Sequence, residues 1–67
     1  MKVRDVLKIL ADDGWIYLRT RGSHRQFKHS VKRGLVTVAG KPSLDLNEDT
    51  IRSIFKQAQV PDPRKQQ

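Results

Sequence analysis

The chain has 67 residues, of which 14 are lysine or arginine and 7 are acidic, so its formal net charge is +7. It has no cysteine, which excludes disulfides and thiolate metal sites, and no apolar run approaches the ~20 residues of a membrane span. We therefore expect one small cytoplasmic domain with an open active face and no membrane partner. The positive charge favours a nucleic acid or another polyanion as partner, and the alternative is a solubility charge on a domain with a different partner.

An amphipathic helix is predicted at the start of the chain. Val3, Val6, Leu7 and Leu10 recur at the spacing of one helical face. Gly14 is typical of the position just after a helix, so we place the helix at about residues 3–12.

Three short strands are predicted next, at residues 15–21, 24–29 and 35–39. Aromatic and β-branched residues enrich the first, and alternation of side chains marks the second. Gly22 permits a positive φ in the turn between them, and residues 30–34 form the next turn. Such short connections predict an antiparallel meander.

A second helix is predicted at about residues 48–58. Asn47 is a good N-cap, and an apolar stripe follows at helical spacing, formed by Ile51, Ile54, Phe55 and Ala58. The prolines and polar residues beyond it predict a flexible tail at 61–67, after a single domain at 1–60.

The order α-β-β-β-α predicts an α+β fold of two layers, with both helices on one face of a three-stranded antiparallel sheet. Alternation along the strands then assigns the helix-facing side chains as Ile16, Leu18, Phe27, Val36 and Val38. It assigns the open face as Trp15, Tyr17, Arg19, Arg21, His24, Gln26, Lys28 and Thr37. A one-residue bulge would move part of this set to the other face.

The open face combines the residue types that RNA recognition needs. Cations hold phosphates, aromatic rings stack on unpaired bases, and an imidazole moves protons near neutral pH. We predict that RNA is contacted by Arg19, Arg21, Gly22, Ser23, Arg25, Gln26 and Lys28. For Trp15 a role in packing competes with a role in stacking on a base, and the lysines and arginines also fit a merely solvated surface.

His24 is the candidate catalytic residue. It follows the Gly22-Ser23 turn and is flanked by Arg21 and Arg25, whose charges favour its neutral, base-competent form. RNA cleavage needs a base for the 2′-OH and an acid for the leaving 5′ oxygen. Alternation places His29 on the opposite face, where a structural role is favoured. The histidines and carboxylates do not have metal-ligand spacing, so no metal or cofactor is predicted.

The chain resembles the HicA family, the small toxins of HicA–HicB toxin–antitoxin modules. The resemblance covers about residues 3–60 and is carried by Gly14-Trp15, Arg19-Thr20-Arg21-Gly22-Ser23-His24, Gln26-Phe27-Lys28-His29, Val36-Thr37-Val38, Leu46 and Ile51-Arg52-Ser53-Ile54-Phe55-Lys56-Gln57-Ala58. The Gly-Ser-His motif followed by phenylalanine, together with the last helix, is specific in combination.

The resemblance implies a fold like that of double-stranded-RNA-binding domains and a ribosome-independent endoribonuclease that cleaves mRNA and arrests translation. It implies that His24 is the active-site histidine, because it stands in the Gly-Ser-His motif. It also implies a type II module in which a HicB antitoxin masks the active site. The implied complex binds operator DNA through the antitoxin.

One segment departs from the family pattern. The family commonly reads Val-Pro-x-His-Pro-x-Lys-x-Leu after the third strand, and here Lys41 replaces the histidine and Leu44 replaces the lysine. Lys41 joins the predicted RNA contacts as a point charge for phosphate, but an ammonium is a poor proton shuttle. A non-catalytic RNA-binding module of the same fold is therefore the alternative function, and a domain that binds only an acidic protein is a weaker one.

Overall fold

The computed structural model describes residues 1–65 and consists of two helices packed on a three-stranded antiparallel sheet. The elements run in the order α1 (Val3–Asp12), β1 (Ile16–Arg21), β2 (His24–Lys28), β3 (Val36–Ala39) and α2 (Glu48–Ala58). The strands lie in sequence order, with β2 in the centre. The predicted fold class and both helix ranges are confirmed. None of the helices in residues 1–65 has the length and apolar content that a membrane crossing requires.

The apolar stripes of the two helices share one core with one face of the sheet. Phe27 on β2 pairs with Val36 on β3, and Val38 lies two residues further along the same face. Val36 and Val38 are completely buried, because both helices cover this side. The core comprises Val3, Val6, Leu10, Trp15, Phe27, Val36, Val38, Ile51, Ile54, Phe55 and Ala58.

The end of α1 turns the chain so that Trp15 enters this core. The Gly14 N–H donates to the Ala11 carbonyl at 3.0 Å and the Trp15 N–H to the Leu10 carbonyl at 2.9 Å, which is the Schellman pattern. Gly14 has a φ of +100°, which side chains with a Cβ rarely adopt. The motif sets Trp15 against Leu10, and only 3% of Trp15 is exposed. The prediction that Trp15 lies on the open face is wrong.

A bulge in β1 overturns three further face assignments. Tyr17 pairs with Phe27, but Arg19 pairs with Gln26, so Leu18 is an extra residue without a partner of its own. The side chains before the bulge therefore lie on the opposite face of the sheet from the one that strict alternation assigns to them. Ile16 and Leu18 are 55% and 36% exposed instead of facing the helices. Tyr17 lies on the Phe27 side, with its ring edge-to-face at 6.0 Å from that of Phe27.

The loop between β3 and α2 is tied to the start of α1. The N–H groups of Val3 and Arg4 donate to the carbonyls of Leu44 at 2.9 Å and Pro42 at 3.0 Å. These donors belong to the first turn of the helix, where no intrahelical acceptor exists. The same bonds therefore cap α1 and hold the loop in place.

Beyond α2, Pro63–Lys65 form a short 3-10 helix, and the guanidinium of Arg64 is hydrogen-bonded to the carboxylate of Asp62. Gln66 and Gln67, at the end of the predicted tail, lie outside the described residues. The boundary of the domain at residue 60 and the flexibility of 61–67 stay predictions.

Lys32 joins the ends of both helices. Its ammonium donates to the Asp13 carboxylate at 2.6 Å and to the carbonyls of Ala58 at 3.3 Å and Gln59 at 2.9 Å. The hydrogen bond from Lys32 holds the pKa of Asp13 below its ordinary value, and the nearby positive charge acts in the same direction. A lowered pKa in the folded state means that protons bind the unfolded chain more readily.

We expect the free energy of unfolding to fall as the pH drops from about 5 to about 2, because Asp13 must then be protonated and loses its pairing with Lys32. Above the unfolded pKa of about 4 the contribution is fully present. Urea unfolding across this range should show a smaller fall for Asp13→Asn than for the wild type. The neighbouring Asp12→Asn variant is the control and should keep the wild-type slope, and equal slopes for all three proteins would contradict the assignment.

Candidate functional site

His24 is exposed on the face of the sheet that the helices leave open. It is the first residue of β2 and pairs with Arg21 on β1 and Ala39 on β3. Residues directly opposite each other in an antiparallel sheet share a face, so Arg21 and His24 are neighbours on the open face. On the other side the neighbour is only a methyl group. The register thus gives His24 a cation on one flank and open space on the other.

A second cross-strand row lies next to it. Arg19, Gln26 and Thr37 are paired across the three strands on the same face. The Arg19 Nε–H donates to Gln26 Oε1 at 2.7 Å, which fixes both side chains. Lys28 lies exposed further along β2. The open face therefore brings together the predicted residues Arg19, Arg21, His24, Gln26, Lys28 and Thr37.

The β1–β2 turn consists of two residues and sets this register. Gly22 has a φ of +61°, whereas Ser23 is not among the residues with positive φ. A two-residue hairpin with positive φ at its first position only is the type II′ turn, which favours glycine there. Both residues are exposed, so the predicted contacts of Gly22 and Ser23 with RNA are sterically open.

An open groove of about 550 Å³ lies beside His24, between the open face and the start of α2. That volume falls in the range of ~300–1,000 Å³ typical of small-molecule sites. It is lined by Ser23, His24, Thr37, Ala39, Gly40, Leu44, Asp45, Leu46, Asn47, Thr50 and Ile54. We call this cavity the His24 groove.

Sequence reasoning missed the His24 groove. Its walls come from the β1–β2 turn, β3, the 40–47 loop and α2, and no local motif connects these segments. Thr50 and Ile54 were assigned only to α2, and Leu44 was noted only as a departure from a family pattern. The one signal in the sequence was Ala39, a small residue at the end of a strand, and it has meaning only once the register is known.

Arg25 lies on the other side of the sheet from His24. It pairs with Thr20 and Val38, and it is half-buried. Its guanidinium donates to the carbonyl of Gly40 at 2.7 Å. Of the two flanking arginines, only Arg21 shares the face of His24. A contact between Arg25 and RNA remains a prediction, and the structure gives Arg25 a role in holding the start of the 40–47 loop.

Lys41 is exposed in a second depression, which adjoins the His24 groove at Ser23 and Gly40. The residues that line this depression are Thr20, Gly22, Ser23, Arg25, Gly40, Lys41 and Pro42. Gly22 and Ser23 belong to the turn that precedes His24, so the depression that Lys41 lines adjoins this turn. Thr20 and Arg25 belong to the face opposite His24, so this depression opens on the other side of the β1–β2 turn from the imidazole.

His29 has a structural environment. Its Nε2–H donates to the carbonyl of Asp13 at 2.7 Å, and its Nδ1 accepts from the N–H groups of Val31 and Lys32, both at 3.0 Å. This pattern requires a proton on Nε2 and none on Nδ1. The ring also contacts Trp15 edge-on at 5.1 Å. Both nitrogens are occupied by the backbone, which leaves none for proton transfer to a ligand.

Across residues 1–65 there is no group of three histidine, cysteine, aspartate or glutamate side chains placed to hold a metal ion. The chemistry that the site offers is therefore that of one exposed imidazole, adjacent cations and a largely neutral groove.

Comparison with known proteins agrees with this description. A family profile described as the HicA toxin of bacterial toxin-antitoxin systems matches residues 3–60. The chain is similar to a chain from a solved structure described as a toxin-antitoxin complex from Streptococcus pneumoniae. The two share 33% sequence identity, the similarity covers 90% of this chain and 98% of the other, and the TM-score is 0.73. No match is found among curated proteins.

Proposed function

Since this chain belongs to the HicA toxin family, we propose that this toxin acts as an endoribonuclease on mRNA, with His24 as its acid/base group. The proposal rests on one observation. His24 is exposed on the open face, paired with Arg21 and bordering a groove large enough for a nucleotide.

The proposed reaction is transfer of the phosphodiester to the neighbouring 2′ oxygen. Neutral His24 takes the proton of the 2′-OH, the O2′–P bond forms and the P–O5′ bond breaks. The imidazolium of His24 then gives this proton to the leaving 5′ oxygen, so the products end in a 2′,3′-cyclic phosphate and a 5′-OH. Only the RNA and the imidazole that carries this proton take part, and no metal or cofactor is required.

The cations supply the electrostatic part of catalysis. Negative charge accumulates on the phosphorane oxygens in the transition state, and fixed positive groups stabilise it. Arg21 pairs with His24, and Lys41 lines the depression beside the Gly22-Ser23 turn. We assign Arg21 to the reacting phosphate, Lys41 to a neighbouring phosphate, and Arg19 and Lys28 to the strand along the sheet. RNA binding should therefore weaken as salt concentration rises.

The partner protein follows from the family. The solved relative is described as a toxin-antitoxin complex. We propose that this chain likewise binds a HicB-type antitoxin that masks the His24 face, and that the complex contacts operator DNA through the antitoxin. A domain of net charge +7 suits an acidic partner.

The direct test is incubation of the purified chain with a defined RNA in the presence of EDTA. We expect fragments whose 3′ ends are cyclic phosphates, because the mechanism uses the 2′-OH and no metal. A matched RNA with 2′-deoxy sugars is the control and should remain intact. Fragments with 3′-OH ends, or cleavage only when a divalent metal is added, would contradict the mechanism.

A non-catalytic RNA-binding module is the second candidate. Lys41 favours it, because this residue stands where the family commonly has a histidine and an ammonium transfers protons poorly at neutral pH. Such a module would retain RNA at low salt but release no fragments, so the same incubation separates the two functions.

A further inference from the structure

The His24 groove differs in charge from the surface around it. No lysine or arginine lines it, although 14 of the 67 residues are basic. Its acidic member is Asp45, which pairs with Lys2 at 3.3 Å. A phosphate would therefore find cations on the sheet and at Lys41, but none inside the groove.

Chemically the groove suits a flat ring with polar edges. Ala39, Leu44 and Ile54 give it an apolar lining, and hydroxyl groups are contributed by Thr37 and Thr50. The Oδ1 of Asn47 already accepts the N–H of Thr50 at 2.8 Å and caps α2. Within residues 1–65, the hydroxyls of Thr37 and Thr50 make no hydrogen bond with another residue, so both are open to a ligand.

We propose that the His24 groove binds one unstacked nucleobase of a single-stranded RNA, and that Thr37 and Thr50 select this base through its polar edge. The inference builds on the proposed ribonuclease function and adds a specificity site to it. The position fits, because His24 lines the same groove and a base seated there lies next to the imidazole that the proposed mechanism uses. Unpaired bases are the part of RNA that proteins recognise by sequence.

Ala39 is the residue that keeps this space open. It is the β3 neighbour of His24 on the open face, and a larger side chain at this position would occupy the groove. Ala39→Leu therefore closes the base site and leaves Arg19, Arg21 and Lys28 unchanged. Ala11→Leu is the matched control, because Ala11 is exposed on α1 and does not line the groove.

The binding test uses a short oligoribonucleotide with 2′-fluoro sugars, which lacks the attacking hydroxyl, and with 2-aminopurine at its centre. We expect 2-aminopurine fluorescence to rise when the wild type or Ala11→Leu binds, because the base leaves its stack. When the oligonucleotide is saturated with Ala39→Leu, fluorescence anisotropy should still report binding through the cationic face. The rise in 2-aminopurine fluorescence should be lost. No rise in fluorescence with the wild type, or an equal rise with Ala39→Leu, would overturn the proposal. The absence of a rise with the wild type is the result expected if the groove serves to bind a partner protein and not a base.

The specificity test measures cleavage rates on an RNA that presents every dinucleotide step. Thr37→Val and Thr50→Val keep the side-chain shape and remove the hydroxyl, so each should slow the preferred step by about twofold to tenfold and leave the poor steps unchanged. Ser30→Ala, an exposed hydroxyl outside the groove, should behave as wild type. If both threonine variants keep the wild-type cleavage rates and the wild-type ranking of dinucleotide steps, Thr37 and Thr50 do not select the base.

The two proposals fail in different ways. Unstacking without cleavage leaves the base site intact and contradicts the ribonuclease function. Cleavage without unstacking supports the ribonuclease function and contradicts the base site.

Discussion

His24→Gln is expected to slow RNA cleavage by about 10²–10⁴-fold, the usual contribution of a positioned acid/base group. Glutamine keeps a similar size and polarity but has no group that exchanges a proton near neutral pH. Single-turnover cleavage of a labelled RNA by the purified proteins measures this loss, and growth arrest on expression should disappear with it. RNA affinity should change little, because Arg19, Arg21 and Lys28 are retained on the same face.

The other histidine provides the matched control. His29 is bonded at both ring nitrogens to the backbone, so His29→Gln should lower the free energy of unfolding by about 1–3 kcal/mol through lost or unpaired hydrogen bonds. The activity of its folded fraction should stay at the wild-type level. His24 is exposed, and its variant should unfold like the wild type. If His24→Gln cleaves RNA as fast as the wild type, His24 is not the acid/base group.

Phe55→Ala should have the largest effect on stability. Phe55 is 2% exposed and is the largest of the fully buried side chains, so its truncation leaves a cavity between α2 and the rest of the core. Such truncations cost about 3–5 kcal/mol. Stabilities of about 0.05–0.15 kcal/mol per residue give a chain of this length only about 3–10 kcal/mol in total. We therefore expect the variant to lose about a third or more of its free energy of unfolding, measured by urea denaturation and near-ultraviolet circular dichroism.

Lys56→Ala is the control for this prediction. Lys56 is the next residue on α2 and is exposed, so its truncation should change the free energy of unfolding by no more than about 0.5 kcal/mol. Loss of toxicity in Phe55→Ala should follow the loss of folded protein. A Phe55→Ala protein as stable as Lys56→Ala would show that this core tolerates the cavity.

The arrangement of elements was accessible from the sequence because it depends on local periodicity. Apolar residues at helical spacing and the N-cap Asn47 predicted both helices with the observed bounds. Gly22 predicted the hairpin turn, and alternation along β2 and β3 predicted that Phe27, Val36 and Val38 face the helices. The candidate His24 depends on the same local reading, since it directly follows that turn.

Alternation along β1 failed because a strand carries no local record of a bulge. The extra residue at Leu18 is set by pairing with β2, and pairing is a property of two segments. The assignment of Trp15 to the open face failed for a related reason. A Schellman motif has to be complete before it directs the following side chain inward, and its hydrophobic partner is Leu10 on the helix.

The sequence by itself thus determined the elements, their order and the exposed histidine that our proposed mechanism uses, because each follows from residues close together in the chain. Only the tertiary structure decided what surrounds His24. Packing bonded the Arg25 guanidinium to the Gly40 carbonyl and placed Ala39 beside His24 on the open face. It also brought the 40–47 loop and α2 up to the sheet to form the His24 groove. Those neighbours come from segments far apart in sequence, and strand register and loop anchoring on α1 decide which of them meet.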